Sequence, residues 1–265
     1  LGEYPVLIGA NATARLVPWL QRVKLGPRLI LVSHAEVLAL HGQGLLDVLT
    51  GEGFEVTAIP VACGEEHKSL EEAARLYQEL SQSLAERRTP LLALGGGVIG
   101  DLAGFVAATY MRGLPLVHLP TTLLAQVDSS LGGKTAVNCG GLKNQVGVFY
   151  APRAVLSDIE SLRTLPPHEI RNGLAEMLKS AVIGEPRLFA MMERSMDRLL
   201  AVESRATEEA VYLAASVKAR VVSRDEREIG LRQVLNLGHT VGHAIETVTA
   251  FQVSHGEAVA MGMVA

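Results

Sequence analysis

The chain has 265 residues, enough to bury a core without disulfide or metal staples, and its 24 Lys+Arg against 28 Asp+Glu give a net charge of −4. That balance excludes general polyanion binding, nucleic acid included, so any anionic ligand must be met by local charge. A hydrophobic content of 48% with 20% charged residues excludes disorder, and every apolar run is broken well before the roughly 18 residues a membrane span needs.

Along the first 160 residues, apolar runs of strand length alternate with longer amphipathic stretches. Candidate strands are Val6 to Ile8, Leu29 to Ser33, Glu55 to Val61, Leu91 to Leu94, Leu116 to Leu119 and Val155 to Asp158. Between the third and fourth, Ser69 to Arg88 carries Leu70, Ala73, Ala74, Leu76, Tyr77 and Leu80 as a helical stripe that Ser69 can cap. This alternation predicts an α/β fold with a doubly wound, mainly parallel sheet whose ligands lie at the carboxyl ends of the strands. From about Leu165 the strand-length runs give way to Pro166-Pro167 and long helical patterns through Val182, Arg187 to Val202, Glu208 to Arg224 and Val234 to Val248. We therefore expect two domains, a Rossmann-like one over 1–160 and an all-helical one over 161–265, with a joint site in the cleft between them. Cys63 and Cys139, with no secretory signal, point to a reducing, cytoplasmic setting. The start at Leu1 and the stop at Ala265 inside an unfinished apolar run read as a segment of a longer protein, its helical domain cut short.

Three constellations carry chemistry. Leu91 to Leu94 runs into Gly95-Gly96-Gly97-Val98-Ile99-Gly100-Asp101 and then an apolar helix pattern, a turn in which backbone N–H groups can approach a pyrophosphate because glycine leaves no Cβ in the way. The acid that usually follows about 20 residues later in dinucleotide sites is missing from Val117-His118-Leu119-Pro120, so a dinucleotide would be held in a variant way. In the helical half, Glu176, His239, His243 and His255 suit Zn2+ or a similar divalent ion; His239 and His243 are four apart on one helix face, and spacing leaves open which three are ligands. The third constellation is basic: Lys134, Lys143, Lys179, Lys218 and Arg232. With 6 Lys against 18 Arg among the 24 basic residues, surface positions are filled by Arg, and the few lysines become candidates for sites that want a compact ammonium group.

Taken together, GGGVIGD, HLPTTLLAQVDSSLGGKTAVN, LKNQVGVFY, GLAEMLKSAVI, LNLGHTVGHAIE and SHGEAVAMGM resemble the 3-dehydroquinate synthase family, in order and over essentially the whole chain. The resemblance implies an NAD- and Zn2+- or Co2+-dependent lyase that converts 3-deoxy-D-arabino-heptulosonate 7-phosphate to 3-dehydroquinate and phosphate. By that likeness NAD oxidises the substrate at C5, phosphate is eliminated, the hydride returns, the ring opens and an intramolecular aldol closes the carbocycle. It implies Glu176, His239 and His255 as metal ligands, with His243 beside them contacting substrate. It implies an NAD site drawn from Glu65, Lys68, Gly96, Gly97, Val98, Ile99, Gly100, Asp101, Thr121, Thr122, Lys134, Lys143 and Thr164. Substrate phosphate and carboxylate would meet Lys134, Asn144, Lys179, Lys218, Arg232 and Asn236, with Asp128 and Glu228 in the same pocket and Arg112 reaching a neighbouring subunit of a homodimer. The sequence departs from the family pattern at Ser33-His34-Ala35-Glu36, beside the adenosine ribose, and at Leu142, where a glycine is common.

Two rival readings share these features. Sister cyclases act on sugar phosphates that lack a carboxylate, which Lys218, Arg232 and Asn236 argue against. Metal-dependent polyol dehydrogenases need no phosphate clamp of the kind Asp128 to Lys134 suggests.

Overall fold

The computed structural model describes residues 2–249 and 252–265. Contacts divide the chain into two compact units, the first made of Leu1–Thr121 and Gly133–Asp158, the second of Thr122–Gly132 and Ile159–Ala265. The short segment 122–132 thus belongs with the helices. It carries no run long enough to announce itself as a helix in the sequence, and it forms a single wide turn over Ala125–Ser129.

The first unit holds strands β1 (Val6–Gly9), β2 (Arg28–His34), β3 (Glu55–Val61), β4 (Leu91–Gly95), β5 (Leu116–Pro120), β6 (Lys134–Cys139), β7 (Leu142–Phe149) and β8 (Ala154–Asp158). Six of them form one parallel sheet in the order β1-β8-β5-β4-β2-β3. Each expected strand forms, with boundaries within one residue of those read from the sequence. Strand side chains alternate between faces, so both faces of a sheet covered by helices must be apolar. On one face Ile30, Val32, Leu91, Ala93 and Leu116 pack with α4 (Leu70–Gln82) and α5 (Gly97–Thr109). On the other Leu29, Leu31, Leu92, Leu94, Val117 and Leu119 pack with α1 (Leu16–Val23) and α3 (Gln43–Gly51), which follows the single turn α2 (Ala35–Val37). Ser69 caps α4 by accepting from the Glu72 N–H, as its position predicts, but the helix ends at Gln82 instead of Arg88, since Leu84 takes a left-handed φ of 52°.

Strands β6 and β7 form a separate antiparallel hairpin that the sequence reading did not assign. Strand β7 is exposed along nearly its whole length, so it lacks the alternation that marks a half-buried strand. The local signal was Gly140-Gly141, whose φ values of 61° and 77° suit a two-residue hairpin turn.

The second unit contains α6 (Pro167–Gly184), α7 (Pro186–Leu200), α8 (Ser204–Arg224), α9 (His239–Val248) and α10 (His255–Val264). The helical pattern expected over Val234 to Val248 is interrupted: a 3-10 segment covers Leu231–Asn236, and α9 starts only at His239 after Gly238 at φ +79°. Close packing of α9 on α10 explains the break. A Cβ at Gly238 would stand 2.6 Å from the Val259 carbonyl oxygen, one at Gly262 would collide with the Gly238 carbonyl, and Gly242 lies against Ala258 and Val259. The amino end of α10 is tied to α6 in the same way, because Gly256 donates its N–H to the Asn172 side-chain oxygen and has no room for a Cβ beside the Asn172 backbone. Among the described residues no helix is long and apolar enough to cross a membrane.

Candidate active site

In the second unit the close contacts of α10 with α6 and α9 bring Glu176, His239 and His255 together. Glu176 lies one turn after Asn172 on α6, His239 opens α9 and His255 opens α10. One ligand atom from each lies within 4.8 Å of the others. The Nε2 atoms of His255 and His239 stand 3.5 and 3.8 Å from Glu176 Oε1, close to the spacing of about 3.4 Å between ligands of a tetrahedral Zn2+ bonded at about 2.05 Å. Two further observations fit a cation. The Glu176 carboxylate is 1% exposed, and while Lys179 meets Oε2, Oε1 has no hydrogen-bond donor of its own. Each imidazole also has its Nδ1 occupied, that of His239 by the Leu237 carbonyl at 3.2 Å and that of His255 by Glu246 at 3.3 Å, which leaves both Nε2 lone pairs turned towards Glu176.

Glu246 is a residue that the sequence reading missed. Its position three residues after His243 and seven after His239 places it on their face of α9, and that spacing was the available signal. His243, Glu246 and His255 also come within 4.8 Å of one another. Glu246 is buried and engages the far nitrogen of His255, so it serves to orient that ring, while His243 stays exposed with its ring 5.3 Å from that of His239.

Beside this cluster lies a buried ionic chain. Lys179 pairs with Glu176 and stands 3.9 Å from Asp128; Lys218 donates to the Asp128 carboxylate and carbonyl, each at 2.7 Å. Burial alone would push the Asp128 carboxyl up, but the ammonium groups of Lys218 and Lys179 outweigh it and hold it well below the usual range. Burial lowers Lys179 too, and Asp128 with Glu176 more than reverses this. Lys218 ends below its ordinary value: burial drives it down, Asp128 opposes, and the like charges of Lys179 and Arg232 add to the fall. Burial dominates the lowering at His239, helped by Lys179, whereas at His255 the Glu176 contact overcomes burial and raises it. Arg232 is buried with its guanidinium donating to the Glu226 and Gly132 carbonyls at 2.6 and 3.0 Å. Gly132, at φ +90°, leaves it room, since a Cβ there would come 2.6 Å from Nη2. Asn236 donates to Glu228 at 3.0 Å, a pair of its own.

In the first unit the glycine-rich stretch is a strand-to-helix turn. Strand β4 ends at Gly95, Gly96 caps α5 in an extended conformation, and the helix geometry leaves the N–H groups of Gly97, Val98 and Ile99 without intrahelical acceptors. The Ile99 side chain is buried in the core, so its backbone is the part open to a ligand. The turn is braced by Lys68, buried and donating to Asp101 at 3.1 Å while paired with Glu65 at 3.1 Å. Asn138 on β6, not singled out from the sequence, ties this brace to the hairpin: its amide donates to Glu65 and its oxygen accepts from the Asn144 N–H. Thr121 donates its N–H to the Gly95 carbonyl. Lys134, Lys143, Asn144 and Arg112 are exposed residues of this unit, whereas Thr122 and Thr164 belong to the second.

The model for the 3-dehydroquinate synthase N-terminal part matches residues 58–172, and that for its C-terminal part matches 173–265. Curated 3-dehydroquinate synthases from Dehalococcoides mccartyi and Pelotomaculum thermopropionicum are each 48% identical, over 98% of this chain and 73% and 71% of theirs. The chain belongs to the 3-dehydroquinate synthase family. Among solved structures, a 2-epi-5-epi-valiolone synthase from Streptomyces hygroscopicus with NAD+ and Zn2+ bound superposes with a TM-score of 0.90 at 30% identity, over 99% of this chain and 73% of that one. A 2-deoxy-scyllo-inosose synthase in complex with carbaglucose-6-phosphate, NAD+ and Co2+ gives 0.88 at 30% identity, over 98% and 70%. A glycerol dehydrogenase from Schizosaccharomyces pombe shares the fold alone, at 17% identity and a TM-score of 0.76 over 100% and 71%.

Proposed function

We propose that the chain carries out the 3-dehydroquinate synthase reaction, releasing inorganic phosphate from 3-deoxy-D-arabino-heptulosonate 7-phosphate as a carbon–oxygen lyase. The observation that carries this reading is that Glu176, His239 and His255, a set able to hold a cation, lie beside Lys179, Asp128 and Lys218. A dehydrogenase of simple polyols has no use for a buried ammonium pair there.

Glu176, His239 and His255 would hold the metal, and the Gly96–Asp101 turn with Lys68 and Glu65 would hold NAD. When bound, the cation polarises an alcohol or carbonyl oxygen and the nicotinamide accepts and returns a hydride. The protein's own groups do the rest. Lys179 and Lys218 place ammonium charge where an anionic substrate must lie, and Asp128 keeps both oriented while preventing their mutual repulsion from opening the site. Arg232, anchored through two backbone carbonyls, adds a planar cation suited to a carboxylate. Lys218, whose Nζ donates to the Asp128 carbonyl and carboxylate, would turn its remaining N–H towards an anionic oxygen. Lys134, Asn144, Asn236, His243, Glu228 and Arg112 complete the proposed substrate set, and Thr121, Thr122, Lys143 and Thr164 the cofactor set. Cytoplasmic location and a homodimer belong to the same reading, with two exposed free cysteines in keeping with a reducing compartment.

Phosphate release from the heptulosonate phosphate, with catalytic NAD and no net NADH, tests the proposal on the full-length protein. A chelator should abolish release and added Zn2+ or Co2+ restore it. Steady NADH accumulation with a polyol, without phosphate release, would overturn it.

A further inference from the structure

The first unit has a cavity that the proposed reaction does not use. It lies at the opposite edge of the sheet from the glycine-rich turn, because its walls come from segments that lead into β1, β4, β5 and β8 and from the end of α1. The five residues of β4 alone separate the two edges by about 16 Å.

The cavity measures about 610 Å3, the size of a small-ligand site, and four guanidinium groups line it: Arg22, Arg87, Arg88 and Arg153. Glu3 is the one carboxylate in the lining. Among the described residues none of the four arginines forms an ion pair; Arg88 donates to the Lys24 carbonyl at 3.1 Å, a contact that neutralises no charge. Four like charges around one cavity, all on exposed side chains of a chain whose net charge is −4, leave a local positive field that favours a counter-anion. The rest of the lining is fixed by the fold: Trp19 is buried against the core and Tyr150 is held by its hydroxyl donating to the Leu114 carbonyl at 2.6 Å. Guanidinium groups bind phosphate and carboxylate through paired N–H donors.

We propose that this cavity is an anion-binding site, apart from the glycine-rich turn of its own unit, for a small molecule bearing two or more phosphate or carboxylate charges on a compact body.

The chain carries a built-in reporter, since Trp19 is its only tryptophan and lies in the cavity wall. Intrinsic fluorescence of the chain is titrated with inorganic pyrophosphate in one arm and citrate in the other, against sodium chloride at matched ionic strength. A saturable change in Trp19 emission with either anion, not reproduced by chloride, is the expected result, and the arm that saturates at lower concentration separates phosphate from carboxylate chemistry. In Arg22→Ser and Arg153→Ser the apparent Kd should rise about tenfold each, the loss of one charge-assisted hydrogen-bonding group. Lys179→Met, which removes an ammonium from the other site, should leave the titration unchanged. No saturable change with either anion, or one that survives in the Arg22→Ser/Arg153→Ser double variant with native circular dichroism, would overturn the proposal.

Discussion

His118 sits in the middle of β5, 5% exposed, with its ring against Gly100 of α5 on the apolar face that Leu116 shares. Burial pushes its pKa from the usual 6.5 down to about 4. The unfolded chain therefore binds a proton that the folded chain refuses between pH 6.5 and 4, and stability in that window must rise with pH. At neutral pH nothing is lost. As the pH falls through 6.5 the loss begins, reaches about 2 kcal/mol at pH 5 and levels off near 3.4 kcal/mol below pH 4, from about 1.36 kcal/mol for each of 2.5 pH units. Trp19 belongs to the same unit, so urea unfolding followed by its emission reports on the part of the chain that holds His118. The neutral variant His118→Leu should lose this dependence. Relative to it, the wild-type midpoint should fall by about 1 M urea between pH 7.5 and 5, taking a slope of about 2 kcal/mol per molar. A midpoint difference between variant and wild type that stays constant from pH 7.5 to 5 would refute the burial argument.

Three further outcomes follow from the geometry. Glu246→Gln should keep the fold but weaken zinc binding about 10- to 100-fold in competition with a chromophoric chelator, because the carboxylate that orients the His255 ring is gone. Gly262→Ala forces α10 away from the Gly238 carbonyl; thermal unfolding should show a loss of about 1–3 kcal/mol, and zinc stoichiometry should fall with it because His239 and His255 ride on the two separated helices. Lys68→Met removes a buried ammonium from between the part-exposed carboxylates of Asp101 and Glu65, so NAD affinity by calorimetry should drop and the first unit should lose about 1–3 kcal/mol; NAD binding equal to wild type would dissociate Lys68 from the cofactor site.

Much of the fold was legible because the sheet obeys a local rule. Strand β2 presents Ile30 and Val32 to one helix layer and Leu29 and Leu31 to the other, so its run is apolar throughout and bounded by polar residues, a pattern visible in the sequence. Strand β7 was not legible, since a strand exposed along its length has no burial pattern to display. The break before α9 was hidden for another reason: Gly238 looks like any helix-flanking glycine until α10 is seen to occupy the space a side chain would need.

The amino-acid sequence by itself determined the succession of elements, the strand-to-helix glycine turn and the cast of chemical groups, because periodicity, turn residues and residue type are properties of neighbours along the chain. Spacing left four candidates for three ligand positions among Glu176, His239, His243 and His255. Tertiary structure brought the Nε2 atoms of two imidazoles, those of His239 and His255, to a buried carboxylate on a helix more than 60 residues away, and it disclosed Glu246 behind them. It also gathered Arg22, Arg87, Arg88 and Arg153 around one cavity. Their charges are unremarkable along the chain and conspicuous only in space, because Coulomb repulsion depends on distance through the fold and not on separation in sequence.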